Sequence, residues 1–149
     1  MSPIKLTLIV LAVACVASSL WAAAPGGRYD IDVGAGTVKD NATGLTWQRA
    51  VSASPLLWGD AVTYCGSLGS GWRLPAEKEL ETLVDVRVGN PGPTVDSTAF
   101  PGTPSNVYWS ATPHAANPAS FAWYVDFRDG SSGTYNKGAS RSVRCVRLG

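Results

Sequence analysis

The chain has 149 residues, of which 45% are hydrophobic and only 15% charged, which is too apolar for a disordered polymer and long enough for one domain beyond a targeting segment. It holds 12 basic and 11 acidic residues, and setting aside Lys5, which lies in the leader, leaves the two signs even. An even balance gives no long-range pull towards nucleic acid or an acidic membrane surface.

Residues 1–24 read as a signal peptide. Lys5 gives the positive start, and a run from Ile4 to Ala17 is apolar apart from Lys5 and Thr7. Ser18 to Ala24 then supplies small residues of the kind signal peptidase accepts, with cleavage near residues 22–24. Two alternatives stay open. Ala12-Val13-Ala14-Cys15 is a weak lipobox, so Cys15 could carry lipid, and an uncleaved leader just reaches the length of a membrane span. The membrane enters only through these two routes, and the expected location is periplasmic, cell-surface or secreted.

Export makes the cysteines informative. Cys15 leaves with the leader, and Cys65 and Cys145 remain. Two cysteines in an oxidising compartment are expected to pair.

Residues 25–149 read as one domain. Tyr29–Val33 alternates as a short strand, and residues 37–40 and 45–49 flank the turn Asn41-Ala42-Thr43-Gly44 as a hairpin. Residues 58–68 predict the first helix, with Trp58, Ala61, Val62, Cys65 and Leu68 on one face. Pro75 opens a second helix over about residues 76–85, with Ala76, Leu80, Leu83 and Val84 as its buried stripe. Glu77, Glu79 and Glu81 are spread around that helix, which predicts a solvated face rather than a metal or catalytic cluster.

Residues 88–106 are rich in Gly, Pro, Ser, Thr and Asn and predict a long irregular loop. Strands follow at 107–111 and 120–127, the second alternating with Phe121, Trp123, Val125 and Phe127 on one face. Residues 128–133 turn the chain, and 134–137 and 142–148 predict the last strands. Val143 and Cys145 share a face, so Cys145 can look into the core towards Cys65. Trp58, Trp72 and Trp123 are expected in the core.

These residues together resemble a known family. The pattern runs GLTWQR, WGDAVTYC, GWRLPAEKELETLVD, a Pro/Gly loop, YWSAT, FAWYVDF and VRCVR. It is similar to the Lcl C-terminal domain family, named for the C-terminal domain of a bacterial collagen-like adhesin, over about Asp40 to Arg147. The resemblance implies an α+β, C-type-lectin-like fold, with two helices on a small mixed or antiparallel sheet and a long loop. It also implies a bridge from the first helix to the last strand, which matches Cys65–Cys145. In that fold the ligand surface lies on or beside the long loop, here about residues 88–119.

Calcium-dependent lectins carry Glu-Pro-Asn or Gln-Pro-Asp in the loop and Trp-Asn-Asp on a following strand. Here the corresponding residues are Asn90-Pro91 and Trp109-Ser110-Ala111, which lack the carboxylates that a hard cation needs. No metal and no cofactor are expected. Formylglycine-generating enzymes share the fold but need reactive cysteines, which a structural bridge removes.

The expected function is ligand binding of an adhesin-like kind, to a glycan or a protein at the cell surface. The candidate contacts are Trp109, His114, Asn117, Tyr124, Asp126, Arg128, Tyr135, Asn136, Lys137 and Arg141, since aromatic and arginine side chains make good anchors. An assembly subunit of an envelope or pilus-type complex is the alternative. Catalysis would need His114, the only histidine, beside a serine such as Ser110 or Ser120, and no nucleophile, metal or phosphate motif supports it.

Overall fold

The computed structural model describes residues 26–149. The leader, its cleavage region and Cys15 lie outside the described residues. Within them, no helix is long and apolar enough to cross a membrane.

Strands β1 (Tyr29–Asp32), β2 (Thr37–Asp40) and β3 (Leu45–Gln48) form an antiparallel meander, and the last strand, β7 (Val146–Leu148), closes it in the order β1-β2-β3-β7. A second antiparallel sheet comprises β4 (Val107–Pro113), β5 (Phe121–Asp126) and β6 (Ser132–Asn136). Helices α1 (Trp58–Ser67) and α2 (Glu77–Glu81) lie between β3 and β4 in the chain.

The second sheet is covered on both faces. Neighbours on one strand point in opposite directions, so Tyr108 enters one cluster and Trp109 the other. The larger cluster joins Val38, Trp47 and Val146 of the first sheet to Leu80, Leu83, Val125 and Phe127. The smaller joins Ala61 and Cys65 of α1 to Leu74, Trp109, Ala122, Val143 and Cys145.

Cys65 and Cys145 are bonded, 80 positions apart, with a Cα–Cα distance of 5.4 Å. The bridge therefore holds α1 to the segment before β7, as cysteine counting and helix spacing together predict.

The long loop contributes to the core. Val95, Ala99 and Phe100 are buried in the larger cluster, and Thr94 donates its backbone N–H to Phe127 O at 2.8 Å. The Asn90–Pro91 and Gly92–Pro93 peptides are cis. Gly92 has φ +37°, and a Cβ there would collide with the Phe127 and Arg128 carbonyls, so only glycine lets the loop lie against the end of β5.

Several expectations are corrected. The second helix ends at Glu81 rather than 85. Leu83 and Val84 turn more tightly through bonds to the third residue back, and Asp85 donates to Thr94 O in the loop instead of continuing the helix. The last strand begins at Val146 rather than 142, because residues 141–146 cross between sheets, with Arg141 bridging Leu56, Ser142 bridging Tyr108 and Val146 bridging Arg73.

On α1, Val62 and Leu68 are 41% and 39% exposed. The covered face narrows to Ala61 and Cys65, one turn apart, where the disulfide draws the helix in. Trp58 and Trp72 are half-buried at the rim of the smaller cluster rather than inside it. Trp123 is also half-buried, and neither cluster includes it.

Glu77 is buried, not solvated, and its carboxylate accepts from Lys78 Nζ at 3.2 Å. Glu79 accepts the Ala76 N–H at 2.8 Å at the helix start and pairs with Arg73.

Candidate functional site

The candidate contacts fall into three groups. The first lies around the β5–β6 hairpin. Tyr124 faces Gly133 across the pair, and Ala122 faces Tyr135. A Cβ on Gly133 would sit 2.7 Å from the Tyr124 hydroxyl, so the missing side chain makes room for the ring. Tyr124 then packs on the disulfide cluster and meets Tyr135 edge-on, centroids 6.5 Å apart. Tyr135 is 45% exposed, and the Arg141 guanidinium lies over it at 4.1 Å.

Beside these, Lys137 Nζ sits 3.6 Å from the centre of the Trp58 ring and donates to Pro118 O at 2.8 Å. The Trp58 indole N–H donates to Ser110 O at 2.8 Å, fixing the ring's edge inward. Two cations thus lie over two aromatic rings on neighbouring segments. A cation over a ring face is attracted by the ring's quadrupole. Arg141 Nη1 donates to Ser140 O at 2.9 Å, and its Nε is closed off with no acceptor.

The second group is the turn between β4 and β5. His114 is half-buried, its ring 6.5 Å from that of Phe121. Asn117 is exposed, and its side-chain oxygen accepts the Ser120 N–H at 3.3 Å. Asn136, exposed at the end of β6, accepts the Gly138 N–H at 2.8 Å. Both asparagines shape turns. Phe121 pairs with Asn136, so this turn and the hairpin's open end are neighbours.

The third group does not belong to the site. Trp109 is fully buried and donates its indole N–H to Leu56 O at 3.1 Å, so it is a core residue and no ligand platform. The alternation of β4 sends it towards the disulfide. Asp126 is 4% exposed, at the turn end of the hairpin. It accepts the Arg128 backbone N–H at 3.0 Å and Nε at 2.9 Å, which removes it from reach and commits the Arg128 guanidinium. The Arg128 pKa is raised by that carboxylate.

The carboxylates that a calcium site would need are missing from β4. Ser110 is buried, and its hydroxyl donates to Trp123 O at 2.8 Å. Among the described residues no group of three or more His, Cys, Asp or Glu converges to hold a metal. The donor set does not fit the cation of sugar-binding lectins. The Ser110 hydroxyl also accepts the Thr112 N–H at 3.2 Å.

Trp58 is the member of this ring and cation cluster that sequence reasoning misses, since helical spacing places it on the face of Cys65. The adjacent Leu57 is an exposed apolar residue, 43% accessible.

The fold is C-type-lectin-like. The fold is similar to that of EMS16, described as an antagonist of the collagen receptor integrin alpha2beta1 (GPIa/IIa), with a TM-score of 0.53 and 15% identity over 76% of this chain and 98% of that one. A comparison with curated proteins found no match. The model of the Lcl C-terminal domain matches residues 36–147, and the chain belongs to that family.

Proposed function

We propose that this domain is an exported, non-catalytic binding module of the adhesin type, recognising a glycan or a protein surface through the ring and cation cluster of Trp58, Tyr124, Tyr135, Lys137 and Arg141. The observation that carries this reading is the exposed Tyr135 ring, with the Arg141 guanidinium over it and Tyr124 edge-on beside it. Preorganised aromatic and arginine side chains lose little freedom on binding, which is why they anchor contacts. His114 and Asn117 flank the cluster and widen the surface. The leader read in residues 1–24 delivers the domain out of the cytoplasm, and the disulfide suits an oxidising destination.

Support for a protein ligand comes from the fold, since EMS16 is described as acting on a collagen receptor. Support for a glycan comes from the flat rings beside polar side chains, a chemistry that stacks sugars. Both are addressed by one experiment. The secreted domain is applied to a glycan array and to a panel of extracellular-matrix proteins, with and without a chelator. Binding that survives the chelator is expected. An empty array and panel would remove the reading, and chelator-sensitive binding would restore a calcium site.

A further inference from the structure

A cavity of about 450 Å³ is lined by the start of β2, the end of β3, Leu68, Trp72 and Pro101. Its size falls within the range of small-molecule sites. Its walls are mostly apolar, and Arg49 is its one charged side chain. Arg49 makes no ion pair among the described residues. Its side chain has a single bond, Nη2 to Thr98 O at 3.4 Å, and its Nε is closed off with no acceptor. A guanidinium carries five N–H donors in a fixed fork, and this one gives a single donor to a protein acceptor among the described residues.

The frame around Arg49 is rigid. Its backbone N–H donates to Gly36 O at 2.9 Å, and its carbonyl accepts from the buried Arg144 at 2.6 Å. Gln48 is fixed from two sides, donating to the Tyr64 hydroxyl at 2.8 Å and accepting the Cys145 N–H at 3.4 Å. The indole of Trp72 forms a flat wall, with the Arg147 guanidinium 5.3 Å from its ring centre.

We infer that this cavity is a second binding site, for a small ligand that joins a carboxylate to a ring. The carboxylate accepts from Arg49, a pairing that suits the planar fork. The ring lies against Trp72. Nothing in this assignment depends on the hairpin cluster.

The test is an NMR titration of the secreted domain with galacturonate and benzoate, against galactose and benzyl alcohol as uncharged counterparts. Saturable shifts are expected at the Arg49 side-chain N–H and the Trp72 indole N–H, the latter assigned with Trp72→Phe, at millimolar carboxylate. The uncharged pair should leave both unmoved. Arg49→Gln should weaken binding at least tenfold while keeping the native spectrum. The stronger of the two acids identifies the ring as sugar-like or aromatic. Unmoved resonances with both acids would overturn the assignment on the wild-type protein alone. Equal shifts from the uncharged pair, or undiminished binding by Arg49→Gln, would also overturn it.

Discussion

Arg144 is the residue with the most at stake. It is 1% exposed, it lies over the Phe100 ring at 4.6 Å, and no carboxylate pairs with it among the described residues. Its charge is met by Gln48 O at 2.8 Å, Arg49 O at 2.6 Å and the Thr103 hydroxyl at 2.7 Å. Burial lowers its pKa to about 10, so it stays charged at neutral pH. Those bonds tie β3, the long loop and the last segment together. Arg144→Ala should cost about 3–5 kcal/mol in urea unfolding, since it strands three acceptors in the interior. A cost within experimental error would contradict that role.

The buried tyrosines add a pH dependence. Burial raises Tyr108 to about 12, against the opposing pull of Arg144, and raises Tyr29 to about 12 as well. A pKa raised on folding means that the native state holds its proton longer. The stability from these two groups is complete below pH 10, the unfolded value, and is lost as pH rises through about 12. Arg144, lowered on folding, runs the opposite way and offsets part of the loss. Tyrosinate absorbance at 295 nm should therefore show a late component that appears as near-ultraviolet dichroism disappears. Tyr108→Phe should remove part of it. None of this was legible in the sequence, where Arg144 is one basic residue in a terminal VRCVR and its burial depends on distant segments.

At the scale of elements, the α1–Cys145 link was the most legible feature. With Cys15 set aside in the expected leader, two cysteines remain, each on a face that periodicity marks as inward. Removing the bridge with a Cys65→Ala/Cys145→Ala pair should cost about 4–5 kcal/mol, on the loop-closure estimate for a separation of 80 residues. Reduction should lower the midpoint of denaturation to match. Mass spectrometry of the non-reduced protein should find the two residues linked.

The hairpin makes a different prediction. Gly133→Ala places a methyl against the Tyr124 ring, so the ring must leave its place beside Tyr135. A stability loss of about 1–3 kcal/mol is expected from overpacking, with weakened binding at the cluster. Unchanged binding would separate Tyr124 from the site. The side-chain chemistry that singled out Tyr124 and Tyr135 could not show this. Which cross-strand neighbours touch depends on register, here Tyr124 opposite Gly133.

For the whole molecule, the order of elements and the family followed from motifs in sequence, and the two-sheet arrangement did not. Residues 142–145 read as strand, yet they cross between sheets, because the segment must reach Cys65 and Tyr108 before joining β3. The long loop read as irregular, correctly, but its Val95 and Phe100 are core. Composition gave no sign of that burial, because the loop's few apolar residues are scattered without a period. The site was half legible for the same reason. Tyr135, Lys137 and Arg141 stand close in sequence and in space, whereas Trp58 joins them only through the fold.

The central claim is that this cluster binds the ligand. The most direct measurement compares the wild-type domain with a Tyr135→Ala/Arg141→Ala variant on the strongest ligand from the array or the protein panel, with melting temperatures matched. The variant, still folded, is expected to lose at least tenfold in affinity. Equal affinity in the two proteins would contradict it.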